Sequence, residues 1–399
     1  MLQLGGLLNS FGNGMVLPFT LIYLHNVRGI SLTVAGLVLA TNAVVALVAG
    51  PVSGPLVDRL GGRRVLAMAL LLLAVGFGAF ILVREPWHAF AAATVTGVGN
   101  GFFWPAQSTL IAGLTPPDRR HTAFAMQRVV MNLGIGLGAV AGGLIASTAR
   151  PWTFGALFAL DAATFLAYLG VLYALVPSPS IVQPRAGESR GTYRDVLRNR
   201  PFLLVISLNA VFIFAGFSGF ELLPVYAKNE AGVSEAAIGA VFFVNTIVIV
   251  LTQLPISRAS EGRRRMLLLG LLGCTWAVSW LTVPAAGLWL EGFAAATVIG
   301  GAMALFAIGE SIHGAVQAPL VTDLAEPSLF GRYMALSALS WSVGFALGPA
   351  VGAPVLDRSP TALWIAAAAV CLFGSVLALA LERALPPGAR RTPRAARRE

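Results

Sequence analysis

Residues 54–64 read GPLVDRLGGRR, with Asp58, Arg59, Arg63 and Arg64 crowded into seven positions. The segments on either side, 33–56 and 65–83, carry no charge at all. Each is about as long as a helix that crosses the ~30 Å hydrocarbon layer of a bilayer, which takes about 20 apolar residues. The cluster therefore reads as a loop between two membrane spans. The rest of the chain repeats the pattern: it has 399 residues, 57% hydrophobic and 11% charged, against about 25% charged in ordinary soluble domains.

Twelve candidate spans follow, at roughly 3–25, 33–56, 64–83, 88–114, 122–147, 153–175, 202–227, 233–256, 265–284, 288–321, 332–356 and 360–381. Helices are expected because lipid offers no partner to exposed backbone N–H and C=O groups. Span 10 is long and is expected to end in an amphipathic turn. The sequence leads almost directly into span 1 without a basic n-region, so that span reads as retained and not as a cleaved signal peptide. Cys274 and Cys371 both lie inside apolar runs, which speaks against a disulfide framework or a zinc site.

The net charge of +10 rests on 27 cations, and Lys228 is the only lysine among them. With the N-terminus inside, 21 of the cations fall in inner loops and the tail, and five in outer loops. Arg128, near the inner end of span 5, either pairs with an acid or snorkels inward. Cationic loops concentrate on the cytoplasmic side of membrane proteins. Both termini are therefore expected to be cytoplasmic, in a multi-pass protein of the cell's inner membrane. Short Arg clusters between apolar runs suit anionic lipid and not a nucleic-acid groove. The longest linker, 176–201, is rich in Pro, Ser, Gly and Arg, and within the basic tail, 382–399, the stretch PPGARRTPRAARRE at 386–399 is expected to be disordered.

The two halves echo each other. FAAATV occurs at 90–95 and again at 293–298. Gly36 and Asn42 match Gly239 and Asn245; PLVDRLGGRR at 55–64 matches PISRASEGRR at 255–264; GIGLGAVAGG at 134–143 matches GFALGPAVGA at 344–353. Four matches in the same order define a parallel repeat, which places a site between the halves near the membrane midplane.

On these residues the whole chain resembles the Major Facilitator Superfamily. That family's loop between spans 2 and 3 reads G-x-L-A-D-R-x-G-R-R/K. Gly54, Leu56, Asp58, Arg59, Gly61 and Arg63 match it, while Val57 and Gly62 depart; the second copy has Arg258 in place of the acid. In span 5 the drug/proton antiporter pattern G-x-x-x-G-P-x-x-G-G is matched by Gly134, Gly138, Gly142 and Gly143, with Ala139 replacing the proline. Span 11 keeps that proline, as Gly344, Gly348, Pro349 and Gly352. Ala93 stands where the family has its span 4 arginine.

The resemblance implies an all-α integral membrane fold of twelve transmembrane helices in two pseudo-twofold-related six-helix bundles: residues 1–175, a cytoplasmic linker 176–201, residues 202–381, and a basic cytoplasmic tail 382–399. It implies secondary active transport by alternating access, as in multidrug efflux antiporters. The first reading is proton-coupled export of small apolar or amphipathic compounds. A sugar or metabolite transporter or facilitator is the alternative, and a transporter-like receptor or assembly partner without transport is a third. The implied partners are a small-molecule substrate, protons and membrane lipid, with no nucleic acid, and the chain is expected to be a monomer. No cofactor or metal is implied, the proton gradient being the driving force. Nor is an enzyme: no G-x-x-x-x-G-K-[ST] phosphate loop or H-E-x-x-H motif occurs, and GESIH at 309–313 lacks the last glycine of a G-x-S-x-G elbow.

Asp58 can cap a neighbouring helix N-terminus, where the dipole favours an anion. The expected neighbour is span 11, near Gly331, which makes the cluster of Asp58, Arg59, Arg63 and Arg64 a gate latch. A purely topogenic basic loop is the plainer reading. The glycine runs allow close helix packing.

Ionisable residues inside spans are costly and mark function by default. The proton-coupling candidates are Asp161, Glu221, Glu310 and His313, the last two one turn apart in span 10. Asp161 could equally hydrogen-bond within its own half, Glu221 could lie near the headgroups, and Glu310 with His313 could be a structural pair. Substrate-cavity candidates are Asn9, Asn13, Asn42, Asn100, Gln107, Asn132, Asn209, Asn245 and Gln317; interhelical hydrogen bonds explain these as readily. Phe217, within the set Phe214, Phe217 and Phe220, could grip an apolar ligand, as could Phe102, Phe103 and Trp104.

Overall fold

The computed structural model describes residues 2–116, 119–177, 192–326 and 329–392. Twelve long helices account for most of them. Helix α1 runs over Leu2–Val16 and, after a turn at 17–19, continues through Thr20–Ile22 and a π-helical turn at Tyr23–Val27. The break lies at Pro18, which offers no backbone N–H and pushes the residue before it out of the helical region. The remaining helices are α2 (Leu32–Leu60), α3 (Gly62–Phe80), α4 (Pro86–Leu114), α5 (Arg120–Ile145), α6 (Trp152–Leu175), α7 (Arg200–Asn229), α8 (Glu235–Ala259), α9 (Arg265–Trp289), α10 (Gly292–Leu324), α11 (Phe330–Arg358) and α12 (Pro360–Leu381).

Eleven of the twelve are long and apolar enough to cross a membrane. The exception is α4, whose 29 residues suffice in length. Its apolarity is diluted by Asn100, Pro105, Gln107, Ser108 and Thr109. Interior prolines at 51, 55, 105, 224, 255, 284, 319, 349 and 354 do not end their helices. Neighbouring helices and side chains can satisfy the freed carbonyls in such spans.

The packing has the same plan twice. In the first half α1 packs on α5 and α6, α2 on α4, and α3 on α4 and α6; in the second, α7 packs on α11 and α12, α8 on α10, and α9 on α10 and α12. The halves meet through α2 against α11 and α5 against α8. Glycines make these approaches possible. A Cβ on Gly134 would lie 3.0 Å from the Leu7 carbonyl oxygen of α1, and one on Gly143 would lie 3.1 Å from Gly239 Cα of α8. Gly344, Gly348 and Gly352 pack against Ile213, Ser218 and Leu222 of α7.

The halves are tied to each other at one end. At the end away from the Arg-rich loops, Asn26 Nδ2 donates to Asn229 Oδ1 (2.6 Å), and the Thr148 backbone N–H and hydroxyl both donate to Glu235 Oε1 (2.9 Å each). Lys228 pairs with the same carboxylate at 3.1 Å. Gly36 abuts Pro349 and Ala353 there. At the Arg-rich end, called the basic face below, Gly50, Gly54 and Gly331 have nothing within 4 Å of where a Cβ would stand.

The tail departs from the expected disorder. Past α12 the chain makes short 3-10 turns at Glu382–Ala384 and Pro387–Ala389, then crosses the turn between α8 and α9. Arg264 and Arg391 form a single antiparallel bridge. Gly262 N–H donates to the Thr392 carbonyl (3.1 Å), and Thr392 N–H donates to that of Arg263 (3.0 Å). Arg264 pairs with Glu382. Arg265, fully buried, pairs with Asp323 at the end of α10 and donates to the Ala389 carbonyl at 3.2 Å. The buried guanidinium and the unpaired loop backbone give the tail fixed partners. Residues 393–399 of the tail and 178–191 of the linker lie outside the described residues.

Candidate functional site

The site is built on helices that bring the two halves together. In α10, Glu310 and His313 sit one turn apart and reach different neighbours. Glu310 Oε2 accepts a hydrogen bond from Asn245 Nδ2 of α8 at 2.8 Å. His313 Nε2 lies 2.7 Å from Asn209 Oδ1 of α7, while Asn209 Nδ2 donates to Ser340 Oγ of α11 at 2.8 Å. Because the Asn209 oxygen must accept, the proton of a neutral His313 sits on Nε2.

The first half contributes Arg128. A Cβ on Gly314 of α10 would lie 3.5 Å from Arg128 Nη1, and the guanidinium's charge acts on both Glu310 and His313. The pair in α10 and the cation in α5 therefore face each other across the two halves.

Aromatic rings wall the same region. Phe217 is the hub, with centroids of Phe345 at 5.3 Å, Trp341 at 5.7 Å, Phe306 at 5.8 Å and Trp276 at 5.9 Å. Trp341 also meets His313 edge-on at 5.3 Å. Trp276 and Phe306 are buried, whereas Phe217, Trp341 and Phe345 are half-buried. A carboxylate and aromatic rings in one region are the kinds of group that attract an organic cation.

The other acids lie elsewhere. Asp161 of α6 is fully buried against Gly12 of α1, with neither carboxylate oxygen hydrogen-bonded among the described residues. It belongs to the packing of its own half. Glu221 lies in α7, twelve residues past Asn209, so about 18 Å further along the helix at 1.5 Å per residue. Its Oε2 is buried and unpartnered among the described residues.

The neutral polar candidates divide between two places. Asn245, Asn209 and Gln317 belong to the second half, the Gln317 Nε2 being buried without a hydrogen-bond partner among the described residues. Asn9, Asn13, Asn100 and Gln107 line a recess within the first half, and Asn42 borders it through the hydrogen bond it accepts from Asn100 (3.2 Å). Asn132 is half-buried on α5.

In the motif at the basic face, Gly61 has φ +84°, a conformation that favours glycine, and it ends α2. Gly262 has φ +70° in the matching turn of the second half. Arg63 donates to the Tyr173 carbonyl at 2.7 Å and stacks over its ring. Asp58, Arg59 and Arg64 are exposed, and the described residues give Asp58 no hydrogen bond or ion pair. Among the described residues no hydrogen bond or ion pair joins Asp58 to the start of α11.

Sequence reasoning did not single out Trp341, Phe345 or the position of Arg128 opposite Glu310. The spacing of Trp341 and Phe345, four residues apart on one helical face, was the available signal. Among the described residues, no group of His, Cys, Asp and Glu could hold a metal ion.

Comparison with known proteins agrees with this architecture. The chain is 29% identical over 360 residues to the multidrug resistance protein MdtH of Cronobacter sakazakii, covering 89% of this chain and 86% of that protein. It is 26% identical over 382 residues to an uncharacterised MFS-type transporter, YhjO, of Bacillus subtilis, covering 94% and 90%. Among solved structures, a POT family transporter in complex with 5-aminolevulinic acid shares the fold with a TM-score of 0.79 at 14% identity, covering 95% of each chain. The nucleoside transporter NupG does so with a TM-score of 0.73 at 14% identity, covering 96% of this chain and all of that one. The sequence signature of the Major Facilitator Superfamily matches residues 2–232 and again 220–398. The chain is a multi-pass membrane transporter that belongs to the Major Facilitator Superfamily.

Proposed function

We propose that this transporter exports small aromatic or amphipathic cations in exchange for protons, by alternating access. The observation that carries the reading is that Glu310 sits one turn before His313, whose ring meets Trp341 of the Phe217 aromatic cluster. It is supported by the similarity to proteins named for multidrug resistance. In this reading the basic face is cytoplasmic, both termini with it, and the cell's inner membrane is the site of action.

Glu310 is the coupling group. Ionised, it receives an organic cation and attracts Arg128 across the gap; protonated, it does neither. A ligand shifts a conformational equilibrium only by its differential affinity for the two states. Proton and cation, competing for one carboxylate, therefore favour different states. His313, tied to α7 and through Asn209 to α11, transmits the change to the helices that carry the aromatic wall. Asp58 completes the cycle by capping the start of α11 once the basic face closes.

The test is exchange in proteoliposomes. With an acid lumen, ethidium added outside is expected to accumulate, and Glu310→Gln is expected to abolish that accumulation. Accumulation that ignores the pH gradient, or that survives Glu310→Gln unchanged, contradicts the reading.

A further inference from the structure

We infer that the tail and the ends of α9 and α12 form a binding site for an anionic phospholipid, its phosphate held by arginines and an acyl chain lying along the seam between the two helices. The inference does not depend on what the transporter carries, and the site lies outside the helices through which the halves meet. A hollow of about 370 Å³ at the basic face is lined by Arg264, Leu379, Glu382, Arg383 and Arg390. That falls within the ~300–1,000 Å³ of small-molecule sites.

Three segments bring the arginines together. Arg264 precedes α9, Arg383 follows α12, and Arg390 lies in the tail, which backbone hydrogen bonds hold against the turn between α8 and α9. Three cations and one acid leave the lining with a net charge of +2. The acid is already spent: Arg264 Nε donates to Glu382 Oε1 at 2.7 Å, and its Nη2 pairs with Oε2. Arg390 is steadied by its own turn, its Nε donating to the Leu385 carbonyl at 2.9 Å and its Nη2 to that of Arg383 at 3.2 Å. Donors remain. The described residues give no partner to Nη1 of Arg264 or of Arg390, or to the exposed guanidinium of Arg383. Guanidinium groups with spare donors suit phosphate oxygens, which they bind through paired, parallel hydrogen bonds.

The two helices favour a lipid over a free phosphate as the source. They pack closely: Ser375 Oγ donates to the Gly270 carbonyl at 2.9 Å, and a Cβ on Gly270 would lie 3.7 Å from the Leu379 side chain. Beside this seam each helix exposes an apolar stripe, Leu267, Leu271 and Val278 on α9 and Leu372, Val376 and Leu379 on α12. The spacings keep each stripe on one face of its helix. Arg264 stands one turn before Leu267, and Arg383 one turn after Leu379, so each stripe ends in an arginine. An apolar track that leads to cations at the headgroup level matches a phospholipid, and the net positive charge selects an anionic one. The first half lacks the arrangement. Arg64 is the counterpart of Arg264, but α6 ends at Leu175 and is followed by Val176 and Pro177, with no arginine to join it.

The test is lipid binding to the full-length protein in detergent, read by native mass spectrometry. The probes are dioleoyl phosphatidylglycerol, dioleoyl phosphatidylcholine and inorganic phosphate. The first phosphatidylglycerol is expected to bind about tenfold or more tighter than the first phosphatidylcholine, since each arginine near a membrane surface is worth about fivefold. Arg383→Gln and Arg390→Gln are each expected to weaken phosphatidylglycerol about fivefold. Both are expected to leave phosphatidylcholine binding unchanged, which also shows that the variants fold. Arg198→Gln removes an equal charge from an exposed position before α7 and is expected to change neither lipid. Equal affinity for the two lipids, a preference that survives both Arg383→Gln and Arg390→Gln, or one that falls as far in Arg198→Gln overturns the inference. Displacement of phosphatidylglycerol by inorganic phosphate at constant ionic strength would overturn the lipid assignment in favour of a soluble phosphate.

Discussion

Gln107 and Glu310 hold the same place in the two copies of the repeat, each 17 residues past the start of a FAAATV segment. Their surroundings differ. Gln107 is held among amides and the Tyr168 hydroxyl. Glu310 is held by Asn245, with an arginine and a histidine nearby. At the matched position the first half carries a neutral amide and the second an acid. The basic face shows the opposite asymmetry. The loop at 54–64 is bare and carries Asp58, whereas the matching loop at 255–264 has lost its acid and is strapped by the tail. On the proposed reading, the duplicated scaffold assigns the ligand's charge and a strapped loop to one half, and amide contacts and a movable latch to the other.

The comparison breaks most completely at Glu310. Glu310→Gln makes the two halves alike in charge and is expected to eliminate proton-driven exchange, read as loss of ethidium accumulation. Gln107→Ala in the first half is expected to leave the pH dependence of exchange in place.

Next in size is the seam that both halves share. Gly143→Leu inserts a side chain where α5 meets α8, and overpacking of this kind costs about 1–3 kcal/mol. The seam closes the end away from the basic face, so the population is expected to shift toward opening there. Labelling of a cysteine placed at Asn229, in a background with Cys274 and Cys371 replaced by Ser, reads that shift as faster modification.

The strap ranks third. Asp323→Ala leaves Arg265 fully buried with the Ala389 carbonyl as a remaining partner. Removing one partner of a buried pair costs about 3–5 kcal/mol. Asp323 is 42% exposed, so about 2 kcal/mol is expected after solvent screening. A lower Tm in detergent checks it. Arg63→Gln, at the barer loop of the first half, is expected to lower Tm by less.

The smallest effect is at Asp58. In the proposed cycle, Asp58→Asn removes a charge–dipole contact of about 1 kcal/mol that forms when the basic face closes. A roughly fivefold shift toward the open state follows. A spectroscopic distance between labels near Gly54 and Gly331 measures it, with Tm unchanged.

Much of this was legible in the sequence. All twelve helices fall on expected spans, because a bilayer dictates both length and apolarity. The glycine runs marked where α1 meets α5 and α7 meets α11, since only a missing side chain permits such approach. Glu310 and His313 were legible as intramembrane ionisable residues one turn apart. Their separation from Asp161 and Glu221 was not, because depth and facing depend on which helices surround the gap. Arg128 read equally well as a snorkelling residue until α10 was seen opposite it. The aromatic hub was hidden among many apolar side chains, and the ordered tail could not be foreseen without the backbone groups it bonds.

The most direct test of the central claim is proton release from the purified protein in detergent as tetraphenylphosphonium is titrated in at several pH values. Competition for Glu310 predicts release of a proton on cation binding, absent in Glu310→Gln. Cation binding without proton release in the wild type, or release that persists in Glu310→Gln, would contradict it.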